Sequence, residues 1–140
     1  MIISPNKPLI LSSDPKNLNL IEHIIQDICE LYDIPEDAFG NILIAVTEAV
    51  NNAIYHGNKA DPKKSVYINF YTKNNQLIFS IKDEGPGFDF QNLPNPTLPD
   101  NIQKIGGRGI FIIYQLADKV DFKDNGKEIE IAFAVQKFVG

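Results

Sequence analysis

The feature that most constrains the fold is a change of hydrophobic period near residue 60. Up to Gly57, apolar residues recur at spacings of three and four. From Ser65 onward they alternate or run together, with β-branched and aromatic residues prominent. The first pattern belongs to helices that bury one face and the second to strands. A chain with both must stack helices on a sheet.

Residues 8–12, PLILS, predict a short strand. Ser12, Ser13 and Asp14 then offer N-cap oxygens, and Pro15 suits a first helical turn. Leu18, Ile21, Ile25, Ile28 and Tyr32 predict an amphipathic helix of about five turns. DIPED breaks it at Pro35 and starts a second helix that runs to Gly57, which reads as a left-handed cap. SVYINFYTK and QLIFSIKD predict two strands joined by a hairpin turn at NNQ. Residues 84–109 hold four of the nine prolines and five of the nine glycines, so a long loop is expected there. GIFIIYQLADK predicts a third helix. KVDFKD and KEIEIAFAV predict a closing hairpin that turns at Asn125-Gly126. The order predicts an α/β (α+β) two-layer sandwich, with helices on one face of a mainly antiparallel, mixed sheet. A single domain is expected over residues 1–140.

Charge and composition narrow the function classes. The net charge of −5 and the lack of a basic stripe argue against direct nucleic-acid binding. No apolar run reaches the roughly 18–20 residues of a membrane span, and MIISPNKPLI is not built like a secretory signal. A cytoplasmic protein is expected. The single Cys29 excludes an internal disulfide and reads as a packed thiol.

Three stretches carry more chemistry than a fold requires. The first is AVTEAVNNAIYHGNK, residues 45–59, in the second predicted helix, where Phe39, Ile42, Leu43, Val46, Val50, Ala53 and Ile54 fill one arc. Asn41, Glu48, Asn51, Asn52 and Tyr55 fill the other. Glu48 and Asn52 are four apart and stack, with His56 four further on. A solvated polar face fits this pattern too, although adjacent asparagines in mid-helix carry a propensity cost. In DEGPGFD, residues 83–89, Asp83 ends a strand beside Gly85 and Gly87. The carboxylate can accept an adenine amino group while the glycines admit a flat base. A type II turn with a capping aspartate is the alternative. In GGRGIF, residues 106–111, three glycines expose N–H groups at a helix N-terminus, which suits phosphate, or they supply only flexibility. The spacing is neither that of a P-loop nor G-x-G-x-x-G.

Taken in order, TEAVNNAIYHG, DEGPGFD and GGRGIFIIYQLAD resemble the N box and the two glycine boxes of the GHKL ATP-binding family, which has the Bergerat fold. Within it, the chain is most similar to the anti-sigma-factor serine kinases, a branch with a histidine-kinase-like ATPase domain. The resemblance spans residue 8 to about residue 135. It implies ATP and Mg2+ as cofactors, with Asn52 holding the metal and Glu48 as the general base toward a serine hydroxyl. It also implies that Asp83 takes the adenine amino group, and that Gly85, Gly87 and Phe88 shape the base pocket. Gly106, Gly107, Arg108, Gly109 and Ile110 would line the phosphates, and residues 88–106 would form the ATP lid. One departure stands near the final hairpin: relatives carry a threonine or serine where this chain reads Gly126-Lys127-Glu128-Ile129.

The resemblance further implies a serine/threonine-protein kinase of a partner-switching module. Such a kinase phosphorylates a STAS-domain anti-sigma-factor antagonist and sequesters a sigma factor or another partner-switch target. A homodimer is a further expectation. The alternative is a non-catalytic ATP-binding or sequestering protein. A histidine-kinase fragment is disfavoured, because His23 in EHIIQD lacks the acidic residue that follows a phosphoacceptor histidine. A gyrase-like or chaperone ATPase would need further domains.

Overall fold

A computed structural model describes residues 5–87 and 107–135. Strand β1 (Leu9–Ser12) leads through a 3-10 turn (Pro15–Leu20) into helix α1 (Ile21–Leu31) and helix α2 (Glu36–Asn52), which ends in a π turn (Ala53–Gly57). The hairpin β2 (Ser65–Lys73) and β3 (Gln76–Lys82) follows, then helix α3 (Gly107–Leu116) and the hairpin β4 (Lys119–Lys123) and β5 (Glu128–Ala134). The strands form one sheet in the order β1-β2-β3-β5-β4. All four pairings are antiparallel, so the two-layer sandwich carries no parallel pair among the described residues.

The two-residue alternation sets which sheet face is covered. Ile68 pairs with Ile81 and Ile81 with Ile129, while Phe70 pairs with Phe79 and Phe79 with Ile131. These rows share one core with Ile21, Ile24, Ile25 and Ile28 of α1 and Ile42, Val46 and Val50 of α2. Each large side chain buried here contributes about 1.5–3 kcal/mol. Tyr32 meets Phe70 edge-on at 6.1 Å and Phe79 meets Phe133 likewise at 6.1 Å, which ties three strands to the end of α1. Cys29 is a buried thiol whose pKa burial pushes up to about 11.

Local chemistry corrects two expectations. The first helix is not one run of five turns: it opens as 3-10 at Pro15 and becomes α only at Ile21. Asp14 accepts from the Lys16 N–H at 3.0 Å, and the Asn17 amide donates to the Ser12 carbonyl at 2.8 Å. These side-chain bonds favour a tight turn over a regular helix. The second helix does not end in a left-handed glycine. Gly57 closes the π turn, and the left-handed residues are Lys59 and Ala60, at φ 56° and 54°. The hairpin at NNQ is as expected, with Asn74 and Asn75 both at positive φ. The last hairpin is looser: Lys123 pairs with Glu128, so residues 124–127 make the connection.

Asn58 holds the end of α2 to the sheet. Its backbone N–H donates to the Ala53 carbonyl at 2.9 Å. Its fully buried amide donates to Ser13 Oγ at 2.6 Å and to the Ser65 carbonyl at 2.9 Å, and accepts from the Glu84 N–H at 2.7 Å. One side chain thus joins the ends of β1 and β3 to the start of β2. Asn58→Ala leaves several of these groups unpaired, so urea unfolding should show a loss of roughly 2–4 kcal/mol. An unchanged midpoint would mean that water replaces the amide without cost.

Candidate functional site

The site has two ends joined by one cleft. At the first end β3 stops at Lys82, and the Asp83 N–H donates to the Lys127 carbonyl at 2.9 Å. The Gly85 N–H donates to Asp83 Oδ1 at 2.8 Å. The carboxylate lies so close to the end of α2 that a β-carbon at Gly57 would sit 2.3 Å from Asp83 Cγ. A β-carbon at Gly85 would sit 2.2 Å from the Gly57 carbonyl oxygen. Real side chains do not tolerate such distances, so both positions require glycine for close approach. Gly87 needs it for conformation as well: its φ is 78°, and a β-carbon would meet the Asn125 carbonyl oxygen at 2.2 Å.

Burial raises the pKa of Asp83 above its ordinary value. The Gly85 N–H, the Lys127 ammonium and the Lys64 ammonium oppose that rise. A half-buried carboxylate in this setting is costly unless a ligand donates to it.

At the second end, the first turn of α3 meets the polar face of α2. A β-carbon at Gly109 would lie 2.9 Å from Glu48 Oε2 and 3.2 Å from the Asn52 amide nitrogen. Ala45 and Ala49 of α2 are buried in the core. Glu48 and Asn52 are both half-buried, whereas Arg108 is exposed.

Between the ends runs a cleft of about 300 Å3 lined by Asn52, His56, Asp83, Gly87, Ile110 and Lys127, among others. Its apolar walls come from Ala49, Ile81, Phe122 and Ile129. An apolar slot with a few polar groups at its ends is the usual form of a small-molecule site. The structure therefore brings Asn52, Asp83, Gly87 and Ile110 into one cleft, with Gly85 packed behind Asp83 and Glu48 behind Gly109. Gly107 begins α3, while Phe88, Gly106 and the expected lid at 88–106 lie outside the described residues.

Sequence reading did not single out Lys59 or Lys127, and it took Gly57 for a cap. The basic residue beside the final turn was the available signal for Lys127. Gly57 followed by a buried asparagine carries no local signature, because its role depends on a strand distant in the chain.

Residues 11–133 match the histidine kinase-like ATPase domain family. The chain is 33% identical over 115 residues to serine-protein kinase RsbW of Staphylococcus aureus (strain Newman), covering 76% of this chain and 69% of that one. It is 28% identical over 114 residues to serine-protein kinase RsbW of Bacillus subtilis (strain 168), covering 77% and 71%. Among solved structures it resembles the histidine kinase domain of the Erythrobacter litoralis EL346 blue-light activated histidine kinase, with a TM-score of 0.54 and 18% identity. That match covers 86% of this chain and 63% of the other and carries the fold alone.

Two measurements test the geometry around Asp83. The folded carboxyl titrates above its ordinary 3.8, so the folded chain binds this proton more tightly than the unfolded chain does. The contribution of Asp83 therefore favours the fold at low pH and declines as pH rises from 3.8 through the folded pKa. Asp83→Asn should remove that decline and be as stable as the wild type, or more stable, in urea at neutral pH. A clear loss of stability would show that the ionised carboxylate holds the fold together. Gly57→Ala should instead destabilise by about 1–3 kcal/mol, because the new methyl group displaces the carboxylate. A wild-type unfolding midpoint in that variant would mean that the two segments part freely.

Proposed function

Because this chain belongs to the histidine kinase-like ATPase family, in the branch of the serine-protein kinase RsbW, we propose that it is an ATP-dependent serine/threonine-protein kinase of a partner-switching module. Its substrate is a STAS-domain anti-sigma-factor antagonist, and its output is the sequestration of a sigma factor or an equivalent target. One observation carries this reading: Asn52 and Asp83 line one cleft, and Glu48 and Asn52 both meet the start of α3 at Gly109.

The residues suit magnesium-bound ATP. Asp83 accepts the amino group of the base, and the absent β-carbons at Gly57 and Gly85 are what allow its carboxylate to lie there. Ile81, Ile110 and Ile129 supply flat apolar contact. The first N–H groups of α3, at Gly107, Arg108, Gly109 and Ile110, suit the phosphates, because the opening turn of a helix has no intrahelical acceptors for them. Arg108 is exposed and long enough to meet charge on the terminal phosphate. Among the described residues no group of three or more His, Cys, Asp or Glu side chains is placed to hold a metal. This suits a cation held by the Asn52 amide oxygen and by phosphate oxygens. Bound there, the metal would neutralise phosphate charge.

Glu48 acts as the general base. It takes the proton of the acceptor serine hydroxyl as that oxygen bonds to the γ-phosphorus and the bond to the ADP oxygen breaks. No helix among the described residues is long and apolar enough to cross a membrane, which accords with a cytoplasmic partner-switch protein.

The test is Glu48→Gln assayed with ATP, Mg2+ and purified STAS-domain proteins from the same genome. The variant should bind ATP like the wild type and lose phosphate transfer by about a hundredfold or more. Undiminished transfer would remove Glu48 from the base role. Wild-type ATP binding without transfer to any of these proteins would favour the non-catalytic sequestering alternative.

A further inference from the structure

Lys127 is not used by the reaction above, yet it stands at the base end of the cleft. Its backbone carbonyl accepts from the Asp83 N–H at 2.9 Å, so the two residues are fixed side by side across the ends of β3 and β5. Both residues line the cleft. Both also line a second recess of about 470 Å3, with Tyr67, Lys82, Glu84 and Asp124. The pair is therefore the partition between the two spaces. The stem of Lys127 runs along Gly87, where a β-carbon would come within 3.3 Å of Lys127 Cγ.

The obvious competing carboxylate is already engaged. Asp124 meets the Lys82 ammonium at 2.9 Å. Lys127 makes no ion pair within 4.0 Å among the described residues, although its charge acts on both Asp83 and Asp124. Its ammonium, with three N–H donors, is free to serve a ligand next to an acceptor.

A carboxylate alone reads little. It accepts from any amino or hydroxyl group that reaches it. Adenine presents a donor, its 6-amino group, beside a ring-nitrogen acceptor. Reading both needs an acceptor and a donor held side by side. Resting on the nucleotide reading above, we propose that Lys127 is a second base-reading residue. Its ammonium donates to a ring nitrogen of the purine while Asp83 accepts from the adjoining amino group. Without Lys127 the base loses that bond, and its ring nitrogen is left facing a half-buried carboxylate that offers no donor.

Adenosine separates this role from a general attraction for phosphates, because it carries the base and no charge. Titration calorimetry with wild type, Lys127→Met and Lys127→Arg should use adenosine and, separately, ATP with Mg2+. Lys127→Met should weaken both ligands by a similar factor of about ten, and Lys127→Arg should recover part of the loss. Far-UV circular dichroism of the free proteins should be unchanged, since any residue at 127 keeps the backbone bond. Wild-type adenosine affinity in Lys127→Met would overturn the inference, and a loss confined to ATP would reassign the lysine to the phosphates. A wild type that binds neither ligand would overturn the nucleotide reading and this inference with it.

Discussion

Placing the Asp83 carboxylate against the end of α2 is the constraint around which the site is built. A carboxylate tolerates such a place only when its neighbours make room and supply donors. Gly57 and Gly85 make the room, and the Gly85 N–H supplies one donor. The helix end must also be held in position. Asn58 does this through its bonds to Ser13, Ser65 and Glu84, while Glu84 returns a carboxylate bond to the Ser65 N–H. The chain reaches this arrangement by widening its last helical turn to π and then placing Lys59 and Ala60 in left-handed conformations. Left-handed backbone costs about 1–2 kcal/mol per residue. The buried bonds of Asn58 are of a size to offset that cost.

Helix α2 serves two neighbours with two faces. Ile42, Ala45, Val46, Ala49 and Val50 enter the core. Glu48 and Asn52 meet α3 at Gly109.

The electrostatics of the cleft run against those of the whole chain. The protein carries a net charge of −5, yet Lys59 and Lys127 line the cleft and the Lys64 ammonium acts on Asp83. Local potential, not net charge, governs the approach of an anionic ligand. Elsewhere on the sheet, Lys82 with Asp124 and Lys123 with Glu130 form exposed or partly exposed pairs that add little stability.

Properties that depend on near neighbours in the chain were legible without coordinates. The change of period separated helices from strands, Asn74 and Asn75 marked their turn, and the spacing of Glu48 and Asn52 put them on one helix face. Asp83 at a strand end and the glycines in the first turn of α3 were legible for the same reason. Those signals live in backbone preference and side-chain periodicity, which act over a few residues. Tertiary structure alone decided that Gly57 must lack a side chain because Asp83 occupies its space, and that Gly109 would come to lie against Glu48 and Asn52. It also decided that Asn58 would be a buried junction and that Lys127 would border the cleft. Each of these depends on how closely two distant segments approach, and that distance is set by packing of the whole core and is written in no single stretch of the chain.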